Sequence, residues 1–157
     1  METAIGIKPA HRKESALLLS KILADEVLLL NKTRNAHWNV EGPDFHSKHL
    51  FFDSQYEALD EIVDAVAERI RALGHYTPAT LKDFLALTHF TEEGGGKNDS
   101  GSYISNLLAD HESLIIHLRE NINRIANDLH DAGTSDFITG LMEKHEAMAW
   151  MLRAHLK

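Results

Sequence analysis

The chain has 157 residues, enough for one domain with a sizeable core, and is 43% apolar and 25% charged. That excludes a disordered tail, a collagen-like repeat and a membrane protein, since no apolar run approaches the ~20 residues of a span. Sixteen Lys and Arg against 24 Asp and Glu give a net charge of −8, which argues against a nucleic-acid surface spread over the domain, and the lack of cysteine excludes disulfides and thiolate chemistry.

Residues 1–12 read as a flexible tail without the apolar core of a signal peptide, and 13–157 as a single domain. A first helix is predicted over 13–39, where Leu19, Ile22, Leu23, Val27 and Leu30 recur at three and four. A short loop, 40–43, leads to a second helix over 44–73. Its seam is Phe52, Tyr56, Leu59, Val63, Val66, Ile70 and Leu73, with Gly74 as the stop. Residues 79–87 suit one small helix. Residues 92–102 hold four of the nine glycines and read as an exposed loop. A third helix starts near Ser102 and keeps the same rhythm through Ile104, Leu108, His111, Ile115, Leu118, Ile122, Ile125 and Leu129, until Ala132 and Gly133 break it. Thr134 is the expected N-cap of a fourth helix carrying Phe137, Leu141, Met148 and Leu152. With no strand-like alternation, the expected fold is all-α, a four-helix bundle with a short extra helix in its long second link.

The second helix carries His49, Asp53, Asp60, Asp64 and Glu68 within ~100° of arc. On a generic helix such a stripe is a solvated face. Here it borders the apolar seam, since Phe52, Val63 and Ala67 directly precede Asp53, Asp64 and Glu68. Few basic residues are placed to pair with it, and like charges along one edge repel unless a cation neutralises them. His37 and His49 lie equally far from Pro43 at the loop centre. An antiparallel hairpin therefore sets them at one height and makes a cluster of two imidazoles and the Asp53 carboxylate. Three donors under-ligate a closed metal centre. Asp64 and Glu68, spaced i,i+4, cannot complete it within the chain, because Asp64 lies ~16 Å along the helix from Asp53. They can if two copies of the second helix pack antiparallel about a two-fold axis, each lending its acids to the other's histidines. Two histidines and three carboxylates suit iron, with zinc or manganese as competitors.

These residues resemble a known signature. His37-Trp38-Asn39, then Gly42, Phe45, His49-x3-Asp53 and Asp64-x3-Glu68-Arg69 are similar to the pattern of the Dps family, the ferritin-like miniferritins of bacteria. The likeness spans most of the chain, including the long second link. The Glu-x-x-His pattern of ferritins with a di-iron site inside one bundle is absent, because no histidine has an acid three residues before it. The resemblance implies a ferritin-like bundle assembled as a hollow homo-dodecamer with ferroxidase sites at two-fold interfaces. His37, His49 and Asp53 would come from one subunit, Asp64 and Glu68 from its partner, with Trp38 beside them. Fe(II), at mono-iron or di-iron sites, would be oxidised by hydrogen peroxide in preference to oxygen, and ferric mineral stored inside. Two irons held together can pass two electrons to one peroxide and avoid the one-electron step that releases hydroxyl radical.

By the same resemblance, Glu120 and Asp136 would line a threefold pore that focuses cations, with Asp128 and Asp131 as neighbours. Asp136 equally suits a helix N-terminus. Glu57 and Glu61 read as a solvated face. Relatives that bind DNA often use a lysine-rich tail. Residues 1–20 hold only Lys8, Arg12 and Lys13 against Glu2 and Glu14, and each chain has a net charge of −8, so DNA binding is expected to be weak or absent at physiological salt. The implied location is the bacterial cytoplasm, within reach of the nucleoid. His111, Met148 and Trp150 read as core, whereas His46, His75, His89, His117, His130, His145 and His155 show no clear partner.

Overall fold

Pro9 opens α1 (Pro9–Asn39), since a first turn does not need the missing N–H and the fixed φ suits the helix. The computed structural model describes residues 3–92 and 96–157. Residues 1–2 of the expected tail and 93–95 of the expected 92–102 loop lie outside the described residues. Residues 9–12 of that tail belong to α1. Arg12 is buried, and its guanidinium donates to the Leu73 carbonyl at 3.3 Å. Gly74, with φ at +84°, ends the next helix where a Cβ would collide with the Thr3 side chain.

Antiparallel to α1 runs α2 (Phe45–Ala72). The short helix of the long link is α3 (Leu81–Leu87), capped by the Thr80 hydroxyl, which accepts from the Asp83 N–H at 3.1 Å. It packs on α1. Then α4 (Ser100–Asn123) begins inside the expected loop, because the Asp99 carboxylate caps it by accepting from the Ser102 N–H at 2.9 Å. A π turn, Arg124–Asp128, follows, and His130 with φ at +52° reverses the chain into α5 (Ala132–Ala154), which lies along α4. Among the described residues there is no strand, only an isolated bridge between Glu41 and Asp99.

The N-terminus of α5 corrects two expectations. Its cap is Asp131, not Thr134, and the Asp131 carboxylate accepts from the Thr134 N–H at 3.0 Å. Ala132 and Gly133 do not break a helix but form its first turn. A Cβ on Gly133 would lie 2.9 Å from the Arg69 guanidinium, so glycine lets that side chain approach. Arg69 donates to the Thr134 hydroxyl (3.0 Å) and to Asp131 (3.3 Å), tying the end of α2 to the start of α5. Asp131, expected near the pore, is thereby committed to the cap and buried.

Leu19, Ile22, Leu23, Phe52, Leu59, Ile70, Leu114, Leu118 and Leu152 fill the interior. On α2 and α4 the innermost row is displaced from the expected seam. Ile62, Leu107 and Leu114 lie inside, whereas Tyr56, Val63, Leu108 and Ile115 flank the core. An unbroken four-three stripe drifts around a 3.6-residue helix, so two adjacent rows fit it equally well and packing selects one. Trp150, expected in the core, is 66% exposed, whereas Met148 is buried.

The core also holds charge. Glu26 of α1, His111 of α4 and His145 of α5 are buried. His145 Nε2 donates to Glu26 Oε1 at 2.8 Å, and the Nδ1 atoms of His145 and His111 are 3.0 Å apart, so one proton lies between them. The His111 imidazole is thus a satisfied core histidine, held well below its ordinary pKa of 6.5 by burial and by the neighbouring His145. Its native form stays neutral while the unfolded chain takes up a proton, so stability is intact above about pH 6.5 and falls as the pH drops below it. Denaturant unfolding at fixed protein concentration between pH 5 and 7.5 should show this loss. In His111→Gln the slope should be shallower by up to ~1.4 kcal/mol per pH unit, and equal slopes in the two proteins would exclude His111 as the cause.

Candidate metal centre at the first hairpin

His37 lies in the last turn of α1 and His49 near the start of α2. The loop between them turns at Gly42, whose φ of +129° a side chain rarely adopts. The chain re-enters a helix with the Phe45 N–H donating to the Gly42 carbonyl at 3.1 Å. The two imidazoles then stack, with centroids 3.8 Å apart, and Phe45 packs against His49 at 5.3 Å.

Each histidine holds the other in place. His37 Nδ1 donates to the His49 carbonyl at 2.9 Å, and His49 Nδ1 donates to the His37 carbonyl at 2.8 Å. A carbonyl only accepts, so both Nδ1 atoms carry the proton and both Nε2 lone pairs are free. His37 Nε2 is 3.8 Å from Asp53 Oδ1. That gap is too long for a hydrogen bond, yet it matches two donors sharing one ion at ~2.0–2.2 Å from each. The structure therefore sets His37 against both His49 and Asp53, although the ligand atoms of the three do not all lie within 4.8 Å of one another.

Asp64 and Glu68 do not join them. Both are exposed further along α2, and neither forms an ion pair among the described residues. Trp38 is 66% exposed. Asp60, in the same acidic stripe, is paired with Arg34 at 3.3 Å. Glu57 and Glu61 are exposed, as are Glu120 and Asp136.

Tyr56 is a site residue that the sequence places in the seam. Its ring meets His37 edge-on at 5.2 Å, with the Arg34 guanidinium 5.3 Å from its centroid. Its phenol is raised above the ordinary pKa, chiefly by its hydrogen bond to Asp53. The available signal was position: Tyr56 follows Asp53 by three and His49 by seven, which is one helix face. Several histidines without a visible partner have one. His89 meets Asp25, His145 meets Glu26, and His155 accepts from Lys48 at 3.0 Å.

Known proteins show what the fold is similar to. A family model described as ferritin-like domain matches residues 16–157. A low temperature-induced protein of Nostoc sp. is 43% identical over 98% of this chain and 86% of its own length. DNA protection during starvation protein 2 of Bacillus anthracis is 34% identical over 92% of this chain and 97% of its own. A crystal structure of a Dps protein from Vibrio cholerae O1, described as a member of a broad superfamily of ferritin-like diiron-carboxylate proteins, superposes with a TM-score of 0.91 at 27% identity, covering 100% of this chain and 98% of that one. The fold is therefore that of the ferritin-like class. Within it, the chain belongs to the Dps family.

The Tyr56–Asp53 contact has a direct readout. In Asp53→Asn the loss of the carboxylate should return one of the three tyrosines to a lower pKa, seen as earlier phenolate absorbance in an alkaline titration, and Tyr56→Phe should abolish the difference between the two proteins. An unchanged titration would mean that the phenol does not sense Asp53.

Proposed function

We propose that the chain assembles as a hollow homo-dodecamer that oxidises Fe(II) at sites shared by two-fold-related subunits and stores the ferric product inside. The observation that carries this reading is the hairpin: two imidazoles whose Nδ1 atoms are locked on backbone carbonyls, and the Asp53 carboxylate 3.8 Å from His37 Nε2. Asp64 and Glu68 lie ~16 and ~22 Å along α2 from Asp53. In an antiparallel pair they reach the partner's half-site, and the two-fold axis makes the exchange reciprocal. The exposed apolar surface supports such packing. Leu81 is 77% and Leu85 50% exposed beside a cleft of about 400 Å³ between α1 and α3, where Arg34 also lies.

Fe(II) is the substrate of this site. The free Nε2 atoms bind it, and Asp53 with the partner's carboxylates adds the negative charge that favours Fe(III) over Fe(II). With hydrogen peroxide, the preferred oxidant, two Fe(II) each give one electron, the O–O bond breaks, and two protons complete two waters. Zinc competes for the same donors. Glu120 and Asp136, three of each around a threefold axis, draw cations inward. Asp136 also lies in the first two turns of α5, where an acid favours the helix dipole. Each chain carries a net charge of −8, so the shell repels DNA at physiological salt, and the proposed setting is the bacterial cytoplasm. Among the described residues no helix is long and apolar enough to cross a membrane.

Addition of Fe(II) under anaerobic conditions, then peroxide, should give fast ferric absorbance in the native protein. His37→Ala and Asp64→Ala should each suppress it by at least about ten-fold. Shells reassembled from equal amounts of the two variants should recover about a quarter of the native sites, because one of the two sites in every mixed dimer is intact. Full activity in Asp64→Ala would refute the shared site. Gel shifts at neutral pH and moderate salt should show no tight complex with duplex DNA.

A further inference from the structure

A second cluster of metal-binding side chains lies away from the hairpin. Asp25 sits on α1 twelve residues before His37, which is ~18 Å along the helix and ~120° around it. Its carboxylate is fully buried. Oδ1 accepts from the Thr88 hydroxyl at 2.7 Å and from the His89 N–H at 3.0 Å, and Oδ2 accepts from His89 Nδ1 at 2.7 Å. These bonds pin the segment after α3 onto α1. They also set the His89 tautomer: Nδ1 keeps the proton, and the Nε2 lone pair accepts from the Ser113 hydroxyl at 3.0 Å, a bond that a metal ion would replace. His117, one turn beyond Ser113 on α4, brings its ring to 5.0 Å from that of His89. Ligand atoms of Asp25, His89 and His117 all lie within 4.8 Å of one another.

We propose that these three residues form a second metal site, specific for a divalent first-row transition ion such as Zn(II), in which His89 Nε2 and the His117 imidazole are ligands and Asp25 positions His89. A carboxylate behind a ligating imidazole fixes ring orientation and raises basicity, which is a recurrent feature of histidine metal sites. His117 is half-buried beside His89. Glu120, three residues on along α4, acts on His117 as a negative charge, whereas Lys21 on α1 is the opposing positive one. The three residues come from α1, the link and α4, so the ion fastens the long second link to the bundle. This site is independent of iron oxidation at the hairpin.

Zn(II) is the probe, in equilibrium dialysis and thermal unfolding of the full-length assembled protein. A His37→Ala/Asp53→Ala background removes the hairpin site. That background should retain one Zn(II) per chain, and Zn(II) should raise its unfolding temperature. Adding His117→Gln, on a half-buried ring, should abolish the retained Zn(II), and adding Asp25→Asn should weaken it by about 10–100-fold. His117→Gln in the otherwise native protein tests the same site without disturbing the hairpin and should lower the bound Zn(II) by one per chain. Overturning results are a background that retains no Zn(II), or retained Zn(II) that His117→Gln leaves unchanged.

Discussion

The reciprocal pair of bonds between the imidazoles and backbone carbonyls of His37 and His49 constrains everything at the first hairpin. Each Nδ1 reaches the other residue's own carbonyl, so the two bonds can form only in one register of α1 against α2. That register is also the one that buries Phe52, Leu59, Ile62 and Ile70 against Leu19, Ile22, Leu23 and Leu29. Packing and tautomer are therefore a single choice. A slip by one residue would rotate the acids of α2 into the core and leave buried carboxylates unpaired, at a cost of several kcal/mol each. On the proposed reading, the hairpin presents its imidazoles already aimed, so little reorganisation would oppose metal binding.

The buried acids of α1 show how one helix serves two faces. Asp25 and Glu26 are adjacent and both fully buried, yet one meets His89 in the link and the other meets His145 in the bundle. A 100° step separates them. Each carboxylate thereby fixes a different partner: Asp25 holds the link to α1, and Glu26 sets α5 against α1. Neither bond adds much net stability over an apolar pair, but removing one partner strands a charge. Arg69 works in the same way at the other end, where its contacts with Asp131 and Thr134 fasten α2 to the cap of α5. The arginine that closes the Asp64-x3-Glu68-Arg69 segment is thus a structural brace beside two exposed acids.

Period and spacing carried the helices, since long apolar stripes leave few ways to bury them. The His37–His49 stack was legible for a simpler reason: two residues equidistant from a short turn must meet in an antiparallel pair. What the sequence did not show has physical causes too. Asp131 and Thr134 both suit a cap, and the choice falls to Asp131 because Arg69, sixty-two residues away, neutralises it. Trp150 has the type of a core residue, but its helical phase places it outside, one position after Ala149. Asp25, His89 and His117 are spread over more than ninety residues with no shared period, so only the folded link reveals them. Tyr56 was misplaced because the seam drifts, and a half-buried flank looks like an interior row in one dimension.

Sharing a site between subunits has a consequence for control of the chemistry. A lone hairpin leaves positions of the coordination shell open. On the proposed assembly, the partner's Asp64 and Glu68 complete that shell, so metal affinity and subunit association rise together by linkage. The acids that supply the second half repel one another along α2 while the subunit is free, and a bound cation removes that repulsion. Iron held tightly enough to be oxidised is then iron held at a closed interface, beside the cavity that receives the product. An intrasubunit site of the same donors would bind and oxidise iron on any folded monomer, with nothing to collect the insoluble ferric ion. On the proposed reading, dividing the ligands between two chains would confine the reaction to the assembled shell.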